Sequence, residues 1–303
     1  WVAFQAISSG EVTMQSPVRI SAKAAAEPPS KMGYKPGSAL TLDNAIKIIM
    51  VKSANDVATA IGESIAGSEE AFAVRMNNEA RRLGMFSSHF VNAHGLHADQ
   101  QVTSARDLAV LASAIRRQYP QYAGYFSIEA IGAGKTIIPN HNTLVARFPG
   151  ADGMKTGYTC PSGFNLVASA TQNGRTLLAV VIGETSSETR AEKAAELLVR
   201  GFRASGFTAP RLAGLRPDQP ARMQAVNMRD AICTPQAREA RWANRDENGK
   251  SVIRSAYISE LNRPRRVVAV GLGGTTGPAV PEVANVPIPT PRPSLAPRLA
   301  EGG

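Results

Sequence analysis

The chain has 303 residues, 43% hydrophobic and 19% charged, the balance of an ordinary globular protein with room for one large domain or two modest ones. Its net charge of +10 suits an anionic partner, but no Lys/Arg cluster has the spacing of a nucleic-acid module, so nucleic acid is set aside. The two cysteines are too few for a disulfide framework or a cysteine metal site, and no apolar run nears the roughly 18 residues that cross a bilayer.

The sequence opens on Trp1, with nothing like a signal peptide ahead of it, and reads as a fragment or a processed product. Thr41 is a good N-cap for a helix carrying Leu42, Ala45, Ile46 and Ile49 at helical spacing. A second helical pattern, Val57 to Ile65, follows after only Ser53-Ala54-Asn55-Asp56. These residues favour caps and turns, so Ser53 and Asn55 are expected in a tight connection between two packed helices. Further helices are expected over Ser68 to Leu83 and Ser104 to Arg117, each opened by a capping serine.

After Phe148 the period changes. Phe164 to Thr171 and Thr176 to Ile182 read as strands joined across Asn173-Gly174, a two-residue hairpin signal. The second strand is apolar on both faces and therefore needs cover above and below. An amphipathic helix over Ser187 to Phe202 supplies part of it, with Ala194, Leu197 and Leu198 on one side. Composition shifts near residue 205, and 12 of the 20 prolines lie beyond Gly206. The run Pro287 to Pro297 reads as extended, and Val267 to Val270 is the one strand-like stretch of that region. The expected division is a compact domain over 1–205 and a basic, Pro-rich, partly disordered extension over 206–303.

Two short motifs carry chemistry. Ser53-Ala54-Asn55 lies at the inter-helix turn, and Lys155-Thr156-Gly157 stands immediately before the hairpin. Their order is that of S-x-N and K-T-G in the active-site serine enzymes that recognise penicillin, whose first motif is S-x-x-K. Their surroundings are more specific. Ser53 to Ala58, Asn92-Ala93-His94-Gly95-Leu96, Asp152 to Thr159, Ser162 to Ala170 and Arg19 to Pro36 resemble the serine D-Ala-D-Ala carboxypeptidases, the low-molecular-mass penicillin-binding proteins. The resemblance covers roughly residues 1–205. It implies an α/β fold of the α+β kind, similar to β-lactamases and DD-peptidases: an antiparallel sheet covered by helices, with a helical subdomain.

The departure from the pattern is large, because no serine in the sequence is followed by lysine three places on. The family's S-x-x-K, holding nucleophile and base, opens the helix whose far end resembles Trp1 to Ile7. The missing pair is therefore expected roughly ten residues before Trp1 at 3.6 residues per turn, and the chain as written is expected to be inactive. The family's N-terminal strands would be missing too, leaving an unpaired edge along Thr176 to Ile182.

The resemblance also implies roles. Ser53 would relay a proton to the departing amine, and Asn55 would bond the missing lysine and the substrate backbone. Lys155, Thr156 and Arg190 would hold the terminal carboxylate of a peptidoglycan stem peptide, or the β-lactam that inhibits such enzymes. Gly157 would let the strand approach the substrate, and the Tyr158 N–H would donate to the oxyanion. No cofactor and no metal is implied, and a periplasmic or otherwise extracytoplasmic location is. Outside the cytoplasm disulfides persist, so Cys160 and Cys233 would pair and pin the extension beside the active-site strand.

The residues alone leave other readings open. Ser53 and Asn55 also suit a cap and a turn, Lys155 a solvated strand end, Arg190 a helix-surface charge, and the two cysteines free buried thiols. Asn140, His141 and Asn142 suit a cleft or a plain loop equally. His94, His97 and Asp99 have H-x-x-H spacing in a loop, without the helical i, i+4 geometry of a zinc motif. A class A β-lactamase needs a glutamate between the second and third motifs, and Asn92 to Asp107 contains none. A non-catalytic peptidoglycan binder remains the alternative to the enzyme, and a membrane surface remains open as a partner for the positive charge.

Overall fold

Side-chain caps fix where the helices begin. The computed structural model describes residues 1–205, 209–216, 224–247, 249, 252–253 and 255–279, and the Pro-rich run 287–297 lies outside them. The chain opens with α1 (Val2–Ser8), β1 (Pro17–Arg19), α2 (Ala22–Ala26) and β2 (Ala39–Thr41). Thr41 then caps α3 (Leu42–Val51) through the Asn44 N–H, as the sequence predicts. The helix α4 (Asn55–Ala66) follows after three residues. Ser68 caps α5 (Glu69–Leu83), and Ser104 caps α6 (Ala105–Gln118). These caps each satisfy an N–H group that the helix itself leaves orphaned, worth about 1 kcal/mol apiece.

A 3-10 helix (Pro120–Ser127) leads into the hairpin of β3 (Ala130–Ala133) and β4 (Thr136–Pro139). The main sheet is antiparallel and three-stranded, in the order β5 (Ala151–Thr159), β6 (Gly163–Gln172), β7 (Arg175–Glu184). Asn173 and Gly174 turn the β6–β7 hairpin with φ of 50° and 75°, the left-handed pair that the two-residue turn requires. Each flanking strand extends a residue or two past its predicted end, because the turn geometry keeps the ladder paired up to Gln172 and Arg175.

The sheet is covered on both faces. The helix α7 (Ser187–Arg203) lays Ala191, Ala194, Ala195 and Leu198 on Leu166, Ala168, Ala179 and Val181. The opposite face presents Val167 and Leu178 to the helical core, which contains Ala112 and Ile115 of α6 and Val57 and Ile61 of α4. Alanines at these contacts let helix and sheet approach closely, and each fully buried Leu or Val contributes about 1.5–3 kcal/mol. Among the described residues no further strand pairs with β7.

The region after Ser205 is tied back to this body at several points. It contains α8 (Arg229–Ile232), α9 (Pro235–Ala243) and β8 (Val267–Val270). The strand β8 is the run picked out in the sequence, and it pairs in parallel with β3, giving the sheet order β4-β3-β8. Ahead of it, Arg263 and Arg266 close on the buried Glu129 carboxylate at 2.8 and 2.7 Å. Ile258 enters the core beneath α7.

Candidate active site

The turn between α3 and α4 places its serine by an uncommon backbone. Ser53 has φ of 57°, a left-handed conformation that non-glycine residues adopt at a cost of about 1–3 kcal/mol and that clusters at functional sites. The preceding loop holds it there. The Asn55 N–H donates to the Ser30 carbonyl at 2.7 Å, the Asn55 side-chain amide donates to the Pro28 carbonyl at 2.8 Å, and Ser30 Oγ donates to the Lys52 carbonyl. Asp56, fully buried, accepts from the Met32, Gly33 and Val57 N–H groups. This is why the stretch before Pro36 and the Ser-Ala-Asn turn carry one resemblance: they form one hydrogen-bonded unit.

The edge strand β5 delivers the lysine. Lys155 Nζ donates to Ser53 Oγ at 2.8 Å and to the Thr156 carbonyl at 2.8 Å. An ammonium has three donors, so the described residues engage two and leave one for a ligand. The strand is anchored from below, where Asp152 takes both guanidinium nitrogens of Arg116 at 3.0 and 2.9 Å and hydrogen bonds from Ser169 and Thr171. Gly153, at φ of 135°, is required where the 3-10 helix crosses β5, because a Cβ there would stand 2.4 Å from Phe126 Cβ.

Around Lys155 the charge is one-sided. Arg190, in the first turn of α7, is 5% exposed and donates to the Asn165 and His141 carbonyls at 3.3 and 3.4 Å, both long. Its Nε is buried and bonds none of the described residues. Burial and then the neighbouring Arg190 charge press the Lys155 ammonium down to about 8. Burial presses Arg190 to about 10, against a favourable Glu188. His141 is lowered by burial and then by Lys155, Lys52 and Arg190. A pocket of cations that disfavour one another is stabilised by an incoming anion.

Among the predicted site residues, the structure therefore brings together Ser53, Lys155 and Arg190. Asn55 stands at the start of α4 with its N–H donors turned to the Pro28 loop. The Thr156 carbonyl serves Lys155, while its hydroxyl bonds none of the described residues. A Cβ on Gly157 would meet Asn165 at 3.9 Å, an ordinary contact, so no internal packing demands glycine there. Tyr158 lies opposite Phe164 in the register and stacks on its ring at 4.2 Å.

The cysteines are bonded, Cys160 to Cys233, across 73 residues. The extension is thereby held beside the end of β5, where Tyr158 Oη lies 3.2 Å from Cys233 Sγ and Arg241 of α9 stands over the Phe164 ring. Asn140 and Asn142 serve their own loop, bonding the Ile128 carbonyl and the Leu144 N–H. His141 between them faces the cations, the cleft alternative of the two that the sequence left open.

His94 and His97 point to different partners. His97 meets Asp99 at the surface, whereas His94 Nε2 lies 3.4 Å from Glu27 and 3.5 Å from Glu69. The Leu96 N–H donates to His94 Nδ1, which puts the ring proton on Nε2, toward the two carboxylates. The cluster brings α5 against the Pro28 loop, with one ligand atom each of Glu27, Glu69 and His94 within 4.8 Å of one another.

A strained serine between two helices, bonded to a lysine on a sheet edge under a cationic pocket, is the arrangement of the penicillin-recognising serine enzymes. Comparison with known proteins narrows this. A family model described as D-alanyl-D-alanine carboxypeptidase, peptidase S11, matches residues 1–186. The carboxypeptidase DacC of Escherichia coli K12 is 37% identical over 175 residues, 57% of this chain and 44% of DacC. DacF of Bacillus subtilis is 32% identical over 202 residues, 65% of this chain and 52% of DacF.

Penicillin-binding protein 6B of E. coli superposes with a TM-score of 0.63 at 34% identity, covering 67% of this chain and 66% of that one. The cefotaxime-bound penicillin-binding protein D2 of Listeria monocytogenes gives 0.60 at 25% identity, covering 67% and 83%. The chain belongs to the S11 family of D-alanyl-D-alanine carboxypeptidases. It spans about half the length of the curated relatives it matches.

Proposed function

We propose that this chain carries the carboxylate-binding and proton-relay part of a serine D-alanyl-D-alanine carboxypeptidase site, acting on peptidoglycan stem peptides outside the cytoplasm and recognising β-lactams in the same pocket. The observation that carries the reading is the 2.8 Å bond from Lys155 to Ser53, where burial and the Arg190 charge lower the lysine to about 8. Lys155, Arg190 and the Thr156 hydroxyl hold the terminal carboxylate, the guanidinium offering the planar fork that suits it. Ser53, whose hydroxyl both donates and accepts, passes a proton toward the departing D-Ala amine. Asn55 keeps the turn in register and offers its amide oxygen to the base. The Tyr158 N–H, on the free edge of β5, donates to the oxyanion, a contact worth about 3–4 kcal/mol in the transition state. Gly157 leaves that edge open to the peptide. The disulfide and the positive charge both suit an oxidising compartment rich in anionic polymer.

With no S-x-x-K, the sequence supplies neither the family's nucleophile nor its base. That same absence favours a second reading, a peptidoglycan binder with no catalysis. Calorimetry with a peptide ending in D-Ala-D-Ala tests what the two share: binding is expected, and loss with Lys155→Met. No binding by the unaltered chain sinks both. A chimera with a relative's S-x-x-K segment ahead of Trp1 separates them. Covalent retention of a labelled penicillin favours the peptidase, and its absence in a folded chimera favours the binder.

A further inference from the structure

Beside the Ser53 turn lies a cavity of about 600 Å³ that the carboxypeptidase reading does not use. Lys31 and Lys52 line it as cations and Tyr34 as a phenol, and Met32, Ile138 and Leu272 give it apolar surface. Among the described residues no carboxylate lines it, and neither lysine forms an ion pair. Lys31 Nζ donates to a neutral acceptor, the Ala25 carbonyl. Lys52 directly precedes Ser53, and His141 lies within the field of Lys155, Lys52 and Arg190 together. The positive field of the carboxylate pocket therefore continues through Lys52 into the cavity.

One wall comes from Val270, Gly271 and Leu272, beyond the residues 1–186 that match the family. That wall is held by the β8–β3 pairing and by the Asn44 side chain, which donates to the Gly271 carbonyl at 3.0 Å. Tyr34 titrates higher than an ordinary phenol because of burial and then Asp56, so its hydroxyl remains a donor.

We infer that this cavity is a second anion subsite, built to take a carboxylate on an aliphatic stem carried by the same peptide whose terminal carboxylate meets Lys155. The inference rests on the proposed function for the identity of that peptide. Its apolar surface takes the methylenes and its lysines the charge, so an acidic residue is preferred to its amide. Charge-assisted hydrogen bonds of this kind are stronger than neutral ones. The C-terminal segment thereby sets which peptides are accepted, without touching the reacting groups.

The test uses the chain as it stands, with two peptides ending in D-Ala-D-Ala that differ only in whether a preceding dicarboxylic residue is free or amidated. By calorimetry at low salt, the free acid is expected to bind about tenfold tighter. That ratio should fall to about one in Lys31→Met and Lys52→Met with the amidated peptide's affinity unchanged, and should return in Lys52→Arg. In Lys155→Met binding of both peptides should be lost together. A ratio near one in the unaltered chain, or a ratio that survives in the folded Lys31→Met/Lys52→Met double variant, overturns the subsite. Should neither peptide bind, both readings of the Lys155 pocket fail, and glutarate reads the cavity directly. Amide shifts at Ile138 and Leu272 that vanish in the double variant support the subsite, and their absence overturns it.

Discussion

Lys155 sits where two requirements conflict. Burial and Arg190 favour its neutral amine, holding it at about 8, while a bound carboxylate needs the ammonium. Below about 8 the site is charged and ready; above it the lysine loses its proton and only Arg190, at about 10, remains cationic. Affinity for a carboxylate peptide is therefore expected to be flat up to neutral pH and to fall as pH rises past about 8. Binding near pH 8 should take up a proton, because the ligand restores the lysine's charge. Calorimetry in buffers of different ionisation enthalpy reads that uptake directly, and a pH-independent affinity between 7 and 10 would count against Lys155 as the anchor. The sign for stability is opposite. The unfolded chain holds this proton up to the ordinary 10.5, so between about 8 and 10.5 it binds more protons than the folded one, and deprotonation relieves the folded state as pH rises.

At the scale of elements, the site depends on a loop clamped to a turn. Asp56 accepts from two N–H groups of the loop, so Asp56→Ala should cost about 1–3 kcal/mol and free the segment before Pro36. Faster amide exchange at Met32 and Gly33, with weaker peptide binding, is the expected signature; unchanged exchange would show that the Asn55–Pro28 contact suffices. Much of this architecture was legible in the sequence, because it is written in local signals. Thr41, Ser68 and Ser104 cap the helices they precede, Asn173-Gly174 turns the hairpin, and strand Thr176 to Ile182 packs on both faces through Leu177, Leu178, Ala179 and Val181 while Ile182 stays exposed. The Ser53–Lys155 meeting was legible only through family resemblance, since 102 residues separate the partners. What escaped was set by distant contacts: Asp56 as a loop acceptor, Asp152 beneath β5, and Glu129 waiting for arginines 134 and 137 residues away.

The whole molecule is closed by two fasteners on its C-terminal segment. The Cys160–Cys233 bond holds α8 and α9 beside β5, and Glu129 with Arg263 and Arg266 docks the approach to β8. They share no partner among the described residues, so their effects should add to within about 0.5 kcal/mol. Closing a 73-residue span restricts the unfolded chain by about 4 kcal/mol on the chain-entropy model, so Cys160→Ser/Cys233→Ser should lower the unfolding midpoint clearly. Glu129 acts in a separate window. Arg263 holds its carboxylate at about 2 instead of 4.5, so its contribution is complete above about 4.5 and is lost as pH falls toward 2. Glu129→Gln should therefore remove an acid-dependent loss of amide protection along Val267–Val270 while leaving the disulfide region unchanged. Reduction should do the reverse, loosening residues around Cys233 and leaving β8 protected. Simultaneous loss of protection in both regions under either change would mean that the segment docks as one cooperative piece, and the second-subsite wall at Leu272 would then depend on the disulfide as much as on Glu129.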